Sequence, residues 1–98
     1  FSNDLQIPFS LQGNYPNPFN GETIISYAIP KDGFVNISIF NVAGQLITNL
    51  VNDYQLHGEK KVIWDTKDET GNYVPSGIYY YVVRKGKYKE ARTMTLLK

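Results

Sequence analysis

Gly77-Ile78-Tyr79-Tyr80-Tyr81-Val82-Val83-Arg84-Lys85 decides the fold. Residues 78–83 are all β-branched or aromatic, the types that suit a pleated, half-buried surface and crowd a helix. Side chains alternate across a strand, so Tyr79, Tyr81 and Val83 share one face and Ile78, Tyr80 and Val82 share the other. Both faces are apolar, as expected of a strand covered on each side. Lys85-Gly86-Lys87 then reads as a tight turn into a last strand over 88–97.

The same period of two recurs upstream. Over Thr23–Ile29, residues Ile25, Tyr27 and Ile29 fall on one face before Pro30 ends the run. Over 34–41, Val35, Ile37 and Ile39 form the inward set, with Asn36 and Ser38 opposite. Asn41-Val42-Ala43-Gly44 is a turn in which Gly44 is free to take positive φ, so the strands flanking it pair as a hairpin. Over 60–65, Val62 and Trp64 face one way. Short strands are expected near 7–11 and over 45–51, and the longest loops at 55–59 and 66–76.

The segment 45–51 carries a conflict. Leu46, Ile47, Leu50, Val51 and Tyr54 recur at helical spacing. Ile47, Thr48 and Val51 are β-branched, however, and Asn49, Asn52 and Asp53 favour turns, so a short strand followed by loop is expected. Glycines and prolines leave no run longer than 45–57 free of both, which excludes a long helix. The pattern is an all-β, Ig-like or fibronectin III-like antiparallel β-sandwich of about seven strands.

Composition narrows the function. With 98 residues the chain fits one domain, read as a linker over 1–6 from an upstream domain and an Ig-like domain over 7–98. The opening Phe1-Ser2-Asn3-Asp4 has neither an initiator Met nor a leader pattern, and the chain is expected to be part of a longer protein. With no cysteine there is no disulfide frame, thiolate metal site or cysteine nucleophile. A net charge of +1 lacks the footprint of a nucleic-acid binder, and no apolar run is long enough for a membrane-spanning helix.

Catalytic constellations are not forthcoming. His57, the only histidine, lies beside Gly58 in a polar stretch and reads as a solvated loop residue. Asp65, Asp68 and Gly71, with Asn72, fall every third residue, which is not the alternate-position spacing of a calcium loop. They read as turn residues bonding their own backbone. No catalytic residue, metal or cofactor is expected.

Two features need a use. The second apolar face of 77–85, with Phe34, Phe40 and Ile63, is assigned to ordinary covering by neighbouring loops, ahead of docking on an upstream domain or stacking of sugars on Tyr73, Tyr80 and Tyr88. Asn14-Tyr15-Pro16-Asn17-Pro18-Phe19-Asn20 reads as a stiff extended connector, because two prolines remove donors and restrict the residues before them. Tyr15 and Phe19 are its expected anchors.

This run, followed by Thr23-Ile24-Ile25-Ser26-Tyr27-Ala28-Ile29-Pro30, resembles the opening of the type IX secretion C-terminal sorting domain, type A. The hairpin from Val35 to Gly44, the Val62-Ile63-Trp64-Asp65 segment with Asp68 and Gly71, Ser76-Gly77-Ile78-Tyr79-Tyr80-Tyr81, and Arg92-Thr93-Met94-Thr95-Leu96-Leu97-Lys98 resemble the family's later motifs in order. The resemblance covers about residues 9–98. The same sandwich is similar to the Ig-like domain of the flagellar hook-capping protein. The chain departs from the family in having Gly21 where proline is common and Thr66 where glycine is common, both at turns.

The resemblance implies a non-catalytic domain that sends its parent protein through the periplasm and across the outer membrane of a Bacteroidetes-type bacterium, to the cell surface or medium. The implied partners are the type IX machinery and a sortase that removes the domain. By carry-over, Gly77, Tyr79, Tyr81, Met94, Leu96, Leu97 and Lys98 bear the signal. Tyr15, Pro16, Asn17, Pro18, Phe19, Asn20, Gly44, Trp64, Asp65, Asp68 and Gly71 are family motif positions with structural roles. The alternative is an Ig-like accessory module of an extracellular hydrolase, either a spacer or a carbohydrate-contacting unit.

Overall fold

The computed structural model describes residues 9–98. Seven strands follow in order: β1 (Ser10–Tyr15), β2 (Thr23–Ile29), β3 (Gly33–Asn41), β4 (Leu46–Gln55), β5 (Gly58–Trp64), β6 (Gly77–Lys85) and β7 (Tyr88–Leu96). All pair antiparallel, in a three-stranded sheet ordered β1-β2-β5 and a four-stranded sheet ordered β4-β3-β6-β7. The sheets stack into the expected all-β sandwich.

Their inner faces carry the alternating sets. Ile25, Tyr27 and Ile29 from β2 meet Val35, Ile37 and Ile39 from β3 and Tyr79, Tyr81 and Val83 from β6, all buried. Trp64 closes β5 with its whole side chain buried. Its ring meets Phe19 edge-on at 5.9 Å and Tyr79 at 5.3 Å, and its indole N–H donates to the Lys67 carbonyl (3.1 Å), so the buried polar atom is satisfied.

Three expectations are corrected. β4 is a ten-residue strand, and the loop expected at 55–59 shrinks to Leu56 and His57 between β4 and β5. The helix-like spacing in β4 has a physical origin. Its register against β3 shifts twice, so Leu50 and Ile47 have no cross-strand partner. Each extra residue turns the inward interval from two to three, which keeps Val51 buried and packs Ile47 and Leu50 against the core.

The first strand begins later than expected and runs to Tyr15, so Asn14 and Tyr15 belong to β1 and not to the connector. Residue Ile7 and the linker expected over 1–6 lie outside the described residues. Tyr15 is no anchor, since it is 80 % exposed, whereas Phe19 is buried as expected. The Gly44 turn has the expected form. Gly44 has φ +84°, and Asn41 Oδ1 accepts from the N–H groups of Ala43 (3.0 Å) and Gln45 (2.9 Å).

Trp64→Ala should destabilise the domain by about 3–5 kcal/mol in denaturant unfolding followed by far-UV circular dichroism, because the cavity opens between both sheets. A loss below about 1 kcal/mol would show that Trp64 is not the joint between them.

Candidate functional site

The residues singled out as signal-bearing gather at one end of the sandwich, on β6, β7 and the last residues of the chain. β7 pairs with β6 without a break from Lys85↔Tyr88 to Gly77↔Leu96 and forms an outer edge of its sheet. Tyr79 and Tyr81 point inward and are buried, as are Met94 and Leu96. The Tyr79 hydroxyl donates to the Pro75 carbonyl (2.6 Å), which anchors the loop before β6. Burial raises the pKa of both the Tyr79 and the Tyr81 phenol. Gly77 starts β6 opposite Leu96. Leu97 is 55 % exposed, and Lys98 is exposed with its backbone N–H donating to Ser76 Oγ (2.8 Å). The Lys98 ammonium lies 4.9 Å from the Tyr73 ring centre, and Lys67 approaches the same ring at 5.1 Å.

The Tyr-Pro-Asn-Pro-Phe-Asn segment lies against this end. Phe19 makes a parallel bridge with Leu96. Pro16 C=O accepts from Thr23 Oγ1 (2.8 Å), which in turn accepts from Asn14 Nδ2 (3.1 Å). Thr23 is fully buried, and this chain satisfies it.

The aspartate loop is a turn device. Asp68 Oδ1 accepts from the N–H groups of Thr70 (2.9 Å) and Asn72 (3.0 Å) and from Thr70 Oγ1 (2.7 Å). These bonds, the Thr70 hydroxyl foremost, hold the Asp68 carboxyl below its usual range. Gly71 has φ +89° and donates to the Asp68 carbonyl (3.0 Å). Asp65 Oδ1 accepts from Lys67 N–H (3.1 Å). Between them, Thr66 sits at φ +67°, an unusual conformation for a β-branched residue. This is the turn position where the family pattern favours glycine.

His57 is exposed and meets one acid. Asp32 Oδ1 accepts its backbone N–H (2.7 Å) and lies 2.8 Å from Nδ1, with both side chains well solvated. The His57 backbone N–H, and then its ring, lower the Asp32 pKa. This contact closes the β4–β5 turn against the turn before β3.

The outer apolar residues divide. Phe34, Ile78 and Tyr80 are exposed on the outer face of the four-stranded sheet, and Ile63 on the other sheet. Asn36, Ser38, Asn49 and Asn52 form a hydrogen-bonded row on that outer face. The tyrosines considered for sugar stacking do not form a platform. Tyr80 and Tyr88 leave opposite faces of their sheet, Tyr73 sits in the β5–β6 loop, and Tyr88 stacks on Phe9 (4.6 Å).

Sequence reasoning missed one cluster. Tyr88, Glu90 and Arg92 alternate on the inner side of β7. Glu90 accepts from the Tyr88 hydroxyl and from Arg92 Nε (2.8 Å), and Arg92 Nη2 donates to the Leu11 carbonyl across the sandwich (2.7 Å). The signal was present as a polar period-two set on an otherwise apolar face. Gly13, in a β1 bulge beside this guanidinium, has φ +113°, a conformation that favours glycine.

A family model described as "Secretion system C-terminal sorting domain" matches residues 14–96. The chain belongs to the secretion system C-terminal sorting domain family. Among solved structures, it is similar to dimeric latent PorU from Porphyromonas gingivalis, with a TM-score of 0.72 at 19 % identity over 91 % of this chain and 9 % of that one. PorZ of Porphyromonas gingivalis, described as an essential bacterial surface component of the type-IX secretion system, gives 0.58 at 22 % identity over 87 % and 11 %. FlgD from Xanthomonas campestris gives 0.62 at 20 % identity over 89 % and 64 %. The sorting domain thus spans about a tenth of the length of the two Porphyromonas proteins. No curated protein matches it. Sorting is the role of the family, which is defined by targeting and not by a reaction. Among the described residues, no helix is long and apolar enough to cross a membrane.

The Tyr88 phenol is pushed up to about 12 by desolvation and by its bond to Glu90. A phenol whose folded pKa is raised contributes stability that is complete below the free value of about 10 and is lost as pH rises towards 12. Tyr88→Phe should therefore flatten the fall in stability between pH 10 and 12, read by denaturant unfolding at each pH. An unchanged slope would remove the Tyr88–Glu90 bond from the account.

Proposed function

We propose that this domain directs its parent protein through type IX secretion, from the periplasm across the outer membrane to the cell surface or medium. The family match carries the reading. The likeness to PorZ, a protein described as part of that system, supports its type. The machinery takes hold of the last strand and its flank. Gly77, Tyr79, Tyr81, Met94 and Leu96 act by fixing the shape of this end of the sandwich, and Leu97 and Lys98 act through exposed side chains. A sortase that removes the domain and the upstream domain of the same chain are its further partners.

The geometry supports a folded signal over a linear one. Met94 and Leu96 point into the core, so a reader outside the molecule meets the rim of β7 and the residues after it, not those two side chains. A terminal edge strand is also the element another chain can reach by strand pairing.

Fusing residues 1–98 behind a reporter in a type IX-competent bacterium should deliver the reporter to the surface or medium. Deleting residues 94–98 should hold it in the periplasm. That deletion also removes core residues, so Leu97→Asp with Lys98→Glu is the sharper variant. It should cut delivery at least about fivefold while leaving the melting temperature within about 2 °C, as expected of exposed positions. A retained wild-type fusion, or full delivery with both variants, would overturn the reading.

A further inference from the structure

Asn20-Gly21 is the one place in the chain where glycine follows asparagine. The Asn20 side chain has no task in the fold. The side-chain amide of every other described asparagine makes a hydrogen bond, whereas that of Asn20 has no partner among the described residues. The Gly21 N–H has none there either. Both residues are exposed and lie between β1 and β2, outside the ladders. They form a free link between two fixed points. Phe19 is held by backbone bonds to Thr95 (3.0 Å) and Leu97 (2.8 Å), and the buried Thr23 donates to the Pro16 carbonyl (2.8 Å). With Glu22, Asp65, Tyr73 and Lys98, the two residues line a mouth open to water.

We infer that Asn20 is a site of spontaneous deamidation, assisted by the backbone of Gly21, that turns it into a mixture of aspartate and isoaspartate. The Gly21 nitrogen gives its proton to hydroxide and attacks Cγ of Asn20. A bond forms between that nitrogen and Cγ, the Cγ–Nδ2 bond breaks, and the side-chain nitrogen takes up protons from water and leaves as ammonia. The product is a cyclic succinimide. Water then adds to either ring carbonyl and the ring opens. Cleavage of the bond from nitrogen to Cγ gives aspartate, and cleavage of the bond to the main-chain carbonyl carbon gives isoaspartate. Amide and water become acid and ammonia, with no change of oxidation state.

The ring closes only when the Gly21 nitrogen swings towards Cγ. Glycine has no Cβ to obstruct that approach, and no hydrogen bond has to break first. The other asparagines lack this freedom. Asn17 precedes Pro18, whose nitrogen carries no proton. Asn14 is bonded to Thr23 and Asn72 to Thr70, and Asn36, Asn49 and Asn52 sit in strands with their amides engaged. The products change this end of the sandwich. A new carboxylate joins Glu22 and Asp65 in the mouth that Lys98 lines. Isoaspartate also lengthens the main chain directly after Phe19, the residue that bonds Thr95 and Leu97. The chemistry needs only this chain and water, so it is independent of the export reading.

The test holds the purified 98-residue chain in mildly alkaline buffer, folded or in urea, and follows each asparagine by peptide mapping with mass spectrometry and isoaspartyl methyltransferase labelling. Residue 20 should convert ahead of every other asparagine, at a rate that rises about tenfold per pH unit because the attacking nitrogen must lose its proton. The folded chain should convert within about tenfold of the rate in urea, as expected of a segment that the fold does not hold. A side chain fits at position 21, where a Cβ meets no atom within 4 Å and φ lies outside the left-handed region. Gly21→Val should therefore keep the fold and slow conversion at least about tenfold in both states, because its branched side chain crowds the closing ring. Gly21→Pro, with no N–H, should abolish ring closure. Folded conversion more than about tenfold slower than in urea would show that the fold guards Asn20. Equal rates in urea for wild type and Gly21→Val would show a route that bypasses Gly21. Either result would overturn the site.

Discussion

Trp64 is the joint on which the two sheets depend. It belongs to the three-stranded sheet, meets Tyr79 of the four-stranded sheet edge-on, and meets Phe19 of the β1–β2 connection on another side. Edge-to-face aromatic pairs contribute about 0.5–1.5 kcal/mol each beyond the area they bury. Through Phe19 the same side chain fixes where the Pro-Asn-Pro-Phe-Asn segment meets β7. Core packing and the cover over the terminal strand therefore share one anchor, and a domain this small has few others of that size.

Edges pose the second constraint. A sandwich of two open sheets has four edge strands, here β1, β5, β4 and β7, each able to pair with a foreign strand. β4 carries two bulges, which twist and disrupt its ladder. β1 and β7 are held to each other by the Arg92–Leu11 bond and by Asn17 and Phe19, which follow β1 and bond Thr95 and Leu97. The proline-rich motif thus has a physical use that a loop of ordinary composition could not serve: it pairs on one side and offers little on the other.

Much of this was legible in the chain. The alternation in Thr23–Ile29, in Gly77–Lys85 and around Val35, Ile37 and Ile39 specified which face went inward, because a one-residue slip would have put every apolar group in water. The turns at Gly44 and Gly86 were visible from local chemistry. The aspartate turn at Asp68 was equally local, since the carboxylate bonds its own backbone within four residues. β4 was harder. Its bulges exist only against a partner strand, so the sequence showed their effect, an interval of three, without their cause. Tyr15 misled for a related reason: an aromatic beside proline resembles an anchor, but whether it is buried depends on what lies opposite.

The amino-acid sequence by itself determined the β class, the turns and the inward sets, because these follow from side-chain period and from glycine and proline geometry within a few residues. The family likewise followed from motifs read in order along the chain. Only the tertiary structure decided that β7 lies at an edge, that Asn17 and Phe19 bond its last residues, and that Tyr88, Glu90 and Arg92 link it to β1. Those contacts join residues about eighty positions apart, and no local preference encodes which distant hydrogen-bonding groups will meet. That choice falls to the packing of one sheet on the other.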